Sequence, residues 1–259
     1  MTMTAGSVNP ARGASAVGNL TGVLTMAVSC AAEEAGMGEQ IQIRAVDGFA
    51  LGAYRSEPSG AVKGGVVVIQ EIFGVNDHIR QVADRYAEQG YVAIAPQIFD
   101  RVERGVELGY QQADMGKGIE LAFQQLDHNL ALQDVQAAID AAAVHGGVGV
   151  VGYCFGGLLA WRAACDSSGL GAAVAYYGGG IAAEADKQPK CPVMMHFGEN
   201  DAHIPLSDVN KVKAAQPQAQ VYVYPADHGF NCDHRASYHE QSAQLAEQRT
   251  LAFFAEHLR

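Results

Sequence analysis

From Gln40 onward the apolar positions of this chain fall into short blocks that alternate between two periods. Gly65–Gln70 (GVVVIQ) is a continuous apolar run, as expected for a strand buried on both faces. Tyr91–Ala95, stopped by Pro96, predicts the next buried strand, and Val148–Tyr153, Ala172–Tyr177, Pro192–Gly198 and Val221–Tyr224 predict four more. Ahead of these, Gln40–Ala45 and Phe49–Arg55 flank Asp47-Gly48, a strong hairpin turn signal. Helical spacing fills the gaps. A helix from Asp77 or His78 to about Gln89 puts Ile79, Val82 and Tyr86 on one face and ends at Gly90. Asp127–Val144 puts Leu130, Val135, Ala138 and Ile139 mostly on one side before Gly146-Gly147 ends it. Phe155–Cys165, Leu206–Ala215 and Tyr238–Leu258 read as further helices, whereas in Gln97–Gln125 four glycines interrupt weak helical patterns. Strands alternating with helices imply βαβ units, hence an α/β fold with a mostly parallel central sheet and helices on both faces.

Composition narrows the function classes. The 259 residues are 49% hydrophobic and 17% charged, which supports a packed core and argues against disorder. Lys and Arg number 17 against 28 Asp and Glu, and the resulting charge of −11 repels phosphate backbones, so no nucleic-acid partner is expected. No run of 18 apolar residues occurs, so no membrane span is expected either. Five cysteines, an odd number without a CxxC, argue against a disulfide framework or zinc finger and for a reducing, cytoplasmic compartment. Residues 1–36 are rich in Gly, Ala, Ser and Thr, and read as an N-terminal extension of uncertain order; the folded domain is 37–259, with Met37 an economical start. Leu24–Ala32 faintly resembles a lipoprotein cleavage box ending at Cys30, but the apolar run is short and Arg12 is the only basic residue.

Chemistry concentrates at Gly152-Tyr153-Cys154-Phe155-Gly156-Gly157, where a strand meets a helix. This is the G-x-nucleophile-x-G elbow of α/β-hydrolases with cysteine for serine. The nucleophile sits on a strained turn whose neighbours two positions away must lack bulky side chains, and Gly152 and Gly156 meet that need. The helix start offers the Phe155 N–H to an oxyanion, and the helix dipole favours a thiolate. In this fold the acid and histidine follow in chain order after later strands. Asp201 and His228 occupy those loops, with Glu199 an alternative acid two residues away. Among the other histidines, His78, His128, His145 and His257 read as surface or capping residues and His196 as a core residue. His203 sits one strand too early, and His234 and His239 are possible decoys. Glu71, after the strand Gly65–Gln70, reads equally well as a carboxylate aimed at the nucleophile or as an ordinary solvated glutamate.

Gln70-Glu71-Ile72-Phe73-Gly74-Val75-Asn76, the elbow, Tyr176-Tyr177-Gly178, His228-Gly229-Phe230 and Arg249-Thr250-Leu251-Ala252-Phe253-Phe254 together resemble dienelactone hydrolase, also called carboxymethylenebutenolidase, from about Glu39 to Leu258. The resemblance implies a triad of Cys154, His228 and Asp201, oxyanion donors at Ile72 and Phe155, and coupling of Glu71 to the thiol. On that basis a resting thiol hydrogen-bonded to Glu71 is sheltered from alkylation. The family binds its substrate carboxylate with two arginines. A gapless register puts Gly116, beside Lys117, at one of those positions and Cys232, three residues before Arg235, at the other. Lys117 and Arg235 are therefore the candidate replacements, or else solvated surface cations. The same register puts Glu120 at a pocket tyrosine and Phe123 at a pocket tryptophan. The expected reaction is hydrolysis of a lactone or small carboxylic ester through a cysteine thioester, with no metal or organic cofactor. A general carboxylesterase or thioesterase on small acyl substrates is the alternative, and a non-catalytic hydrolase-like binding protein a more distant one.

Overall fold

The computed structural model describes residues 38–258; the extension expected over 1–36 lies outside the described residues. Eight strands form one sheet: β1 (Glu39–Arg44), β2 (Ala50–Ser56), β3 (Gly64–Ile69), β4 (Tyr91–Pro96), β5 (Val148–Tyr153), β6 (Leu170–Tyr176), β7 (Val193–Gly198) and β8 (Gln220–Tyr224). Their order is β1-β2-β4-β3-β5-β6-β7-β8, antiparallel from β1 through β2 to β4 and parallel elsewhere. Every residue of β3, β4, β5 and β7 is buried, which is why these strands read as uninterrupted apolar runs. Strand β4 ends at Pro96, one residue beyond the expected limit. Pro96 lies opposite Ala53, and the Gln97 N–H donates the next bond to Gly52 O at 2.8 Å.

The helices are α1 (Asp77–Glu88), α2 (Gln112–Glu120), α3 (His128–Ala143), α4 (Phe155–Asp166), α5 (Leu206–Ala215) and α6 (Glu240–His257). Asn76 caps α1 by accepting from Ile79 N–H, and Asp127 caps α3 by accepting from Asn129 and Leu130 N–H. A Cβ on Gly65 would meet Ala142 of α3, and one on Gly149 would meet Phe254 of α6. Gly65 pairs with Val148, the residue before Gly149, and successive strand residues point to opposite faces. Helices therefore cover both faces. Tyr86 of α1 packs beside Phe254 on the α6 side. Among the described residues no helix is long and apolar enough to cross a membrane.

The segment that the sequence left unread, 97–125, folds as a 3-10 turn (Ile98–Arg101), α2, and a π-helical turn (Leu121–Gln125) closed by Leu126 N–H to Leu121 O at 3.0 Å. Ile98, Phe99, Leu121 and Ala122 bury it in the core, and one charged side chain ties it to its neighbours. Arg101 donates to Asp134 of α3 and to Asp47 of the β1–β2 turn.

Candidate active site

Cys154 stands between β5 and α4 at φ 54° and ψ −113°, a backbone conformation that side-chain-bearing residues rarely adopt. A Cβ on Gly152 would lie 1.9 Å from Gly156 O, and one on Gly156 would lie 2.4 Å from Ile69 O. Both glycines are thus demanded by backbone contact, as the elbow pattern required. Phe155 opens α4, so its N–H has no acceptor within the helix. Ile72 lies in the turn after β3 and, like Phe155, lines a cavity that also contains Cys154.

The structure brings three of the expected residues into one chain of contacts. His228 Nε2 lies 3.1 Å from Cys154 Sγ, and its Nδ1 lies 2.7 Å from Asp201 Oδ2. Asp201 is buried, and its other oxygen accepts from His203 and Ile204 N–H, so the carboxylate is fixed on both sides. Glu199, the alternative acid, is exposed. Burial opposes a charge on His228, but the hydrogen bonds to Asp201 and Cys154 outweigh it and push the imidazole up to about 10. Tyr177, itself at φ 36°, packs its ring at 5.1 Å against His228. A folded value raised from 6.5 means that the protonated ring stabilises the fold fully below pH 6.5 and that this contribution falls away as pH rises through about 10. The Tm advantage of the wild type over His228→Gln should therefore shrink between pH 7 and pH 10.5; a constant difference would mean that His228 is neutral in the fold.

Glu71 is not the solvated glutamate of one expectation, nor is it hydrogen-bonded to the thiol as the resemblance implied. It is 1% exposed, and its Oε1 accepts from Arg235 Nη1 at 3.3 Å, while Sγ faces His228. Arg235 is likewise no surface cation. It is 15% exposed, lies over the rings of Phe73 and Tyr110, and lines the cavity. Gly229 explains the His228-Gly229-Phe230 motif: its φ is +77°, and a Cβ there would lie 2.4 Å from the Arg235 guanidinium. Lys117 is the expected site residue that the structure leaves outside. Met115 and Ile119, four apart on α2, face the cavity, so Lys117 between them points away and pairs with Glu103 at 2.8 Å. Glu120 bonds Gln125, and neither residue lines the cavity. Phe123 does line it, half-exposed and edge-on to Phe155.

The cavity measures about 390 Å³. Ile72, Phe73, Met115, Ile119, Phe123 and Leu158 give it apolar walls, and Cys154, His228, His203 and Arg235 supply its polar groups. The sequence held a signal for part of this wall, since Met115, Ile119 and Phe123 recur every four residues. A separate cavity of about 230 Å³ lies among α1, α6 and the loop 231–238, and no expected site residue lines it.

Outside the site, His196 is the core residue expected, bonded to Tyr224 and Thr250 and pushed by burial down to about 3. His78 differs from expectation: it is fully buried and shares a 3.0 Å hydrogen bond with Asp233. With His234 these two form the group among the described residues whose atoms are close enough to share a metal ion. Asp233 is already committed to His78 and lies 3.8 Å from Arg85, so the group acts as a staple between α1 and the loop carrying Arg235. Cys165, Cys191 and Cys232 are buried, and burial pushes their thiols up to about 11, 11 and 12.

A mostly parallel sheet flanked by helices, a cysteine on a strand-to-helix elbow, and a histidine and aspartate from the loops after β8 and β7 define an enzyme of the α/β-hydrolase class. The sequence profile of the dienelactone hydrolase family matches residues 51–258, and the chain belongs to that family. It is 34% identical over 227 residues to a carboxymethylenebutenolidase of Pseudomonas putida, covering 84% of this chain and 96% of that one. A relative from Yersinia pestis, provisionally named a carboxymethylenebutenolidase, is 35% identical over 211 residues, 74% of this chain and 78% of its own. A crystal structure from Klebsiella pneumoniae, provisionally named a dienelactone hydrolase, superposes with a TM-score of 0.73 at 33% identity, covering 84% of this chain and 99% of the other. The chain is accordingly a hydrolase of the class acting on ester bonds.

Proposed function

We propose that the chain hydrolyses neutral esters or lactones with an apolar acyl group, through a thioester on Cys154. The observation that carries this is Cys154 Sγ lying 3.1 Å from a His228 ring pushed up to about 10, at the wall of an apolar cavity. The imidazolium, 3.1 Å from Sγ, would balance the charge of a Cys154 thiolate. The thiolate attacks the carbonyl carbon, and the oxyanion is held by the N–H groups of Ile72 and Phe155. As the C–O bond breaks, the His228 imidazolium gives its proton to the leaving oxygen. The now neutral ring, oriented by Asp201, takes a proton from water; the hydroxide attacks the thioester, and the thiolate departs. No metal or organic cofactor enters these steps.

The preference for neutral substrates follows from charge. Two cavity-lining residues carry positive charge, and each is already matched: His228 by Asp201, and Arg235 by Glu71; Lys117 lies outside. A substrate carboxylate entering this cavity would lose water and meet no free counter-ion. The test is a panel of matched substrates, carboxylate-bearing lactones beside neutral aryl esters, with mass spectrometry of quenched reactions. Neutral esters should lead by roughly 10-fold or more in kcat/KM, with an acyl mass on Cys154. A better rate on the carboxylate lactone, lost in Arg235→Ala, would refute the apolar reading; an acyl mass elsewhere would refute the nucleophile.

A further inference from the structure

The cavity wall that bears Phe123 stands on a weak element. In the π-helical turn Leu121–Gln125, Leu126 N–H reaches back to Leu121 O, and the turn ends there. Such turns are rare and short, and a helix end leaves its last carbonyls in need of donors. Ala122 O receives its donor from a side chain: His128, the first residue of α3, lies with Nε2 at 2.7 Å. The other ring nitrogen, Nδ1, lies 2.6 Å from Arg162 Nη1 on α4. A carbonyl accepts only, and a guanidinium donates only, so the two partners demand the same neutral tautomer, with the proton on Nε2.

The chain of bonds continues. Arg162 Nε donates to both carboxylate oxygens of Glu184, at 3.0 and 3.1 Å, and Nη2 also bonds Oε1. Glu184 ends the 3-10 turn Ile181–Glu184, which directly follows Gly179 and Gly180, themselves lining residues of the cavity. One run of charge-assisted bonds thus crosses α4 and ties two cavity-lining segments together. The His128 ring also packs at 5.3 Å against Phe155 and at 6.1 Å against Phe123. None of the three polar residues touches the cavity's space.

We propose that Glu184, Arg162 and His128 form a strut that holds Phe123 in place and so sets which acyl groups the cavity accepts. The inference rests on reading the cavity as the acyl pocket. His128 is a positioning residue: without its Nε2 donor Ala122 O loses its bond, the turn relaxes, and the Phe123 edge no longer closes the wall. Longer acyl groups, which need that wall, are affected; an acetyl group, which does not reach it, is spared.

The test compares 4-nitrophenyl hexanoate with 4-nitrophenyl acetate in His128→Ala, His128→Gln, Phe123→Ala and the double variant His128→Ala/Phe123→Ala. In His128→Ala the hexanoate KM should rise about 3- to 10-fold, the worth of an aromatic edge contact, while kcat on acetate stays within about 2-fold. His128→Gln, whose amide both donates and accepts, should restore the hexanoate KM. The double variant should be no worse than Phe123→Ala, since both changes remove one contact. Equal loss on both esters, or additive losses, would overturn the proposal. Hydrogen exchange over residues 119–126 judges the strut without turnover: exchange should quicken in His128→Ala and recover in His128→Gln. Unchanged exchange would refute the strut itself, whereas absence of esterase activity with the expected exchange pattern would refute only the assignment of the substrate.

Discussion

Cys154→Ala should lower ester turnover by about 10,000-fold or more, as removal of a covalent nucleophile does where a histidine and oxyanion donors remain. The fold should survive. Alanine keeps the Cβ, so the backbone at φ 54° is no more strained than with cysteine, and the lost sulfur faces the cavity rather than the core. Far-UV circular dichroism and Tm should therefore match the wild type while the ester assay collapses. Turnover retained in a folded variant would remove Cys154 from the mechanism. The other described cysteines offer no substitute nucleophile, because burial holds each thiol protonated at neutral pH.

The same geometry reverses the expectation of a sheltered thiol. That expectation needed Glu71 on Cys154. Arg235 holds the carboxylate instead, and the thiol meets a ring that keeps its proton to about 10. Iodoacetamide should accordingly label Cys154 readily at pH 7 and leave Cys165, Cys191 and Cys232 unlabelled, as peptide mass spectrometry would read.

The strands β3, β4, β5 and β7 were legible because burial on both faces leaves an uninterrupted apolar signature, β1 and β2 through the turn between them, and the predicted limits of all eight fall within two residues of those observed. The elbow was legible for a different reason. Its glycines answer to backbone atoms four residues away or fewer on one side, and to β3 on the other, so the constraint is written locally. Asp201 and His228 were found through chain order, and the bond to His228 together with its burial distinguishes Asp201 from Glu199. What local pattern could not carry was pairing at long range. Arg101 meets Asp47 and Asp134, His78 meets Asp233, and Arg235 meets Glu71, 164 residues away; each looks like a surface residue until its partner is known. Lys117 failed for a simpler reason, since a helix turns by about 100° per residue and Met115 and Ile119 had already taken the cavity face.

Arg235→Ala should destabilise the chain and quieten its nucleophile together. Glu71 is 1% exposed, and one of its oxygens, Oε2, is buried without a hydrogen-bond partner, so Arg235 is the group that makes its charge tolerable. Removing one partner of a buried pair costs about 3–5 kcal/mol; the lower end applies, because Arg235 keeps 15% exposure. The effect on the thiol has the same origin. An uncompensated carboxylate near Cys154, with the cation gone, disfavours the thiolate, and a carboxylate released from Arg235 is free to accept a hydrogen bond from the protonated thiol. The variant would thereby create the Glu71–thiol coupling that the family resemblance implied for the resting enzyme. Urea unfolding should show the loss of stability, and iodoacetamide labelling of Cys154 at pH 7 should slow. Adding Glu71→Gln to Arg235→Ala removes the stranded charge, so much of the stability and the labelling rate should return. A single Arg235→Ala variant as stable and as readily labelled as the wild type would show that Glu71 needs no counter-ion. The preference for neutral substrates, which depends on Glu71 occupying Arg235, would then lose its physical basis.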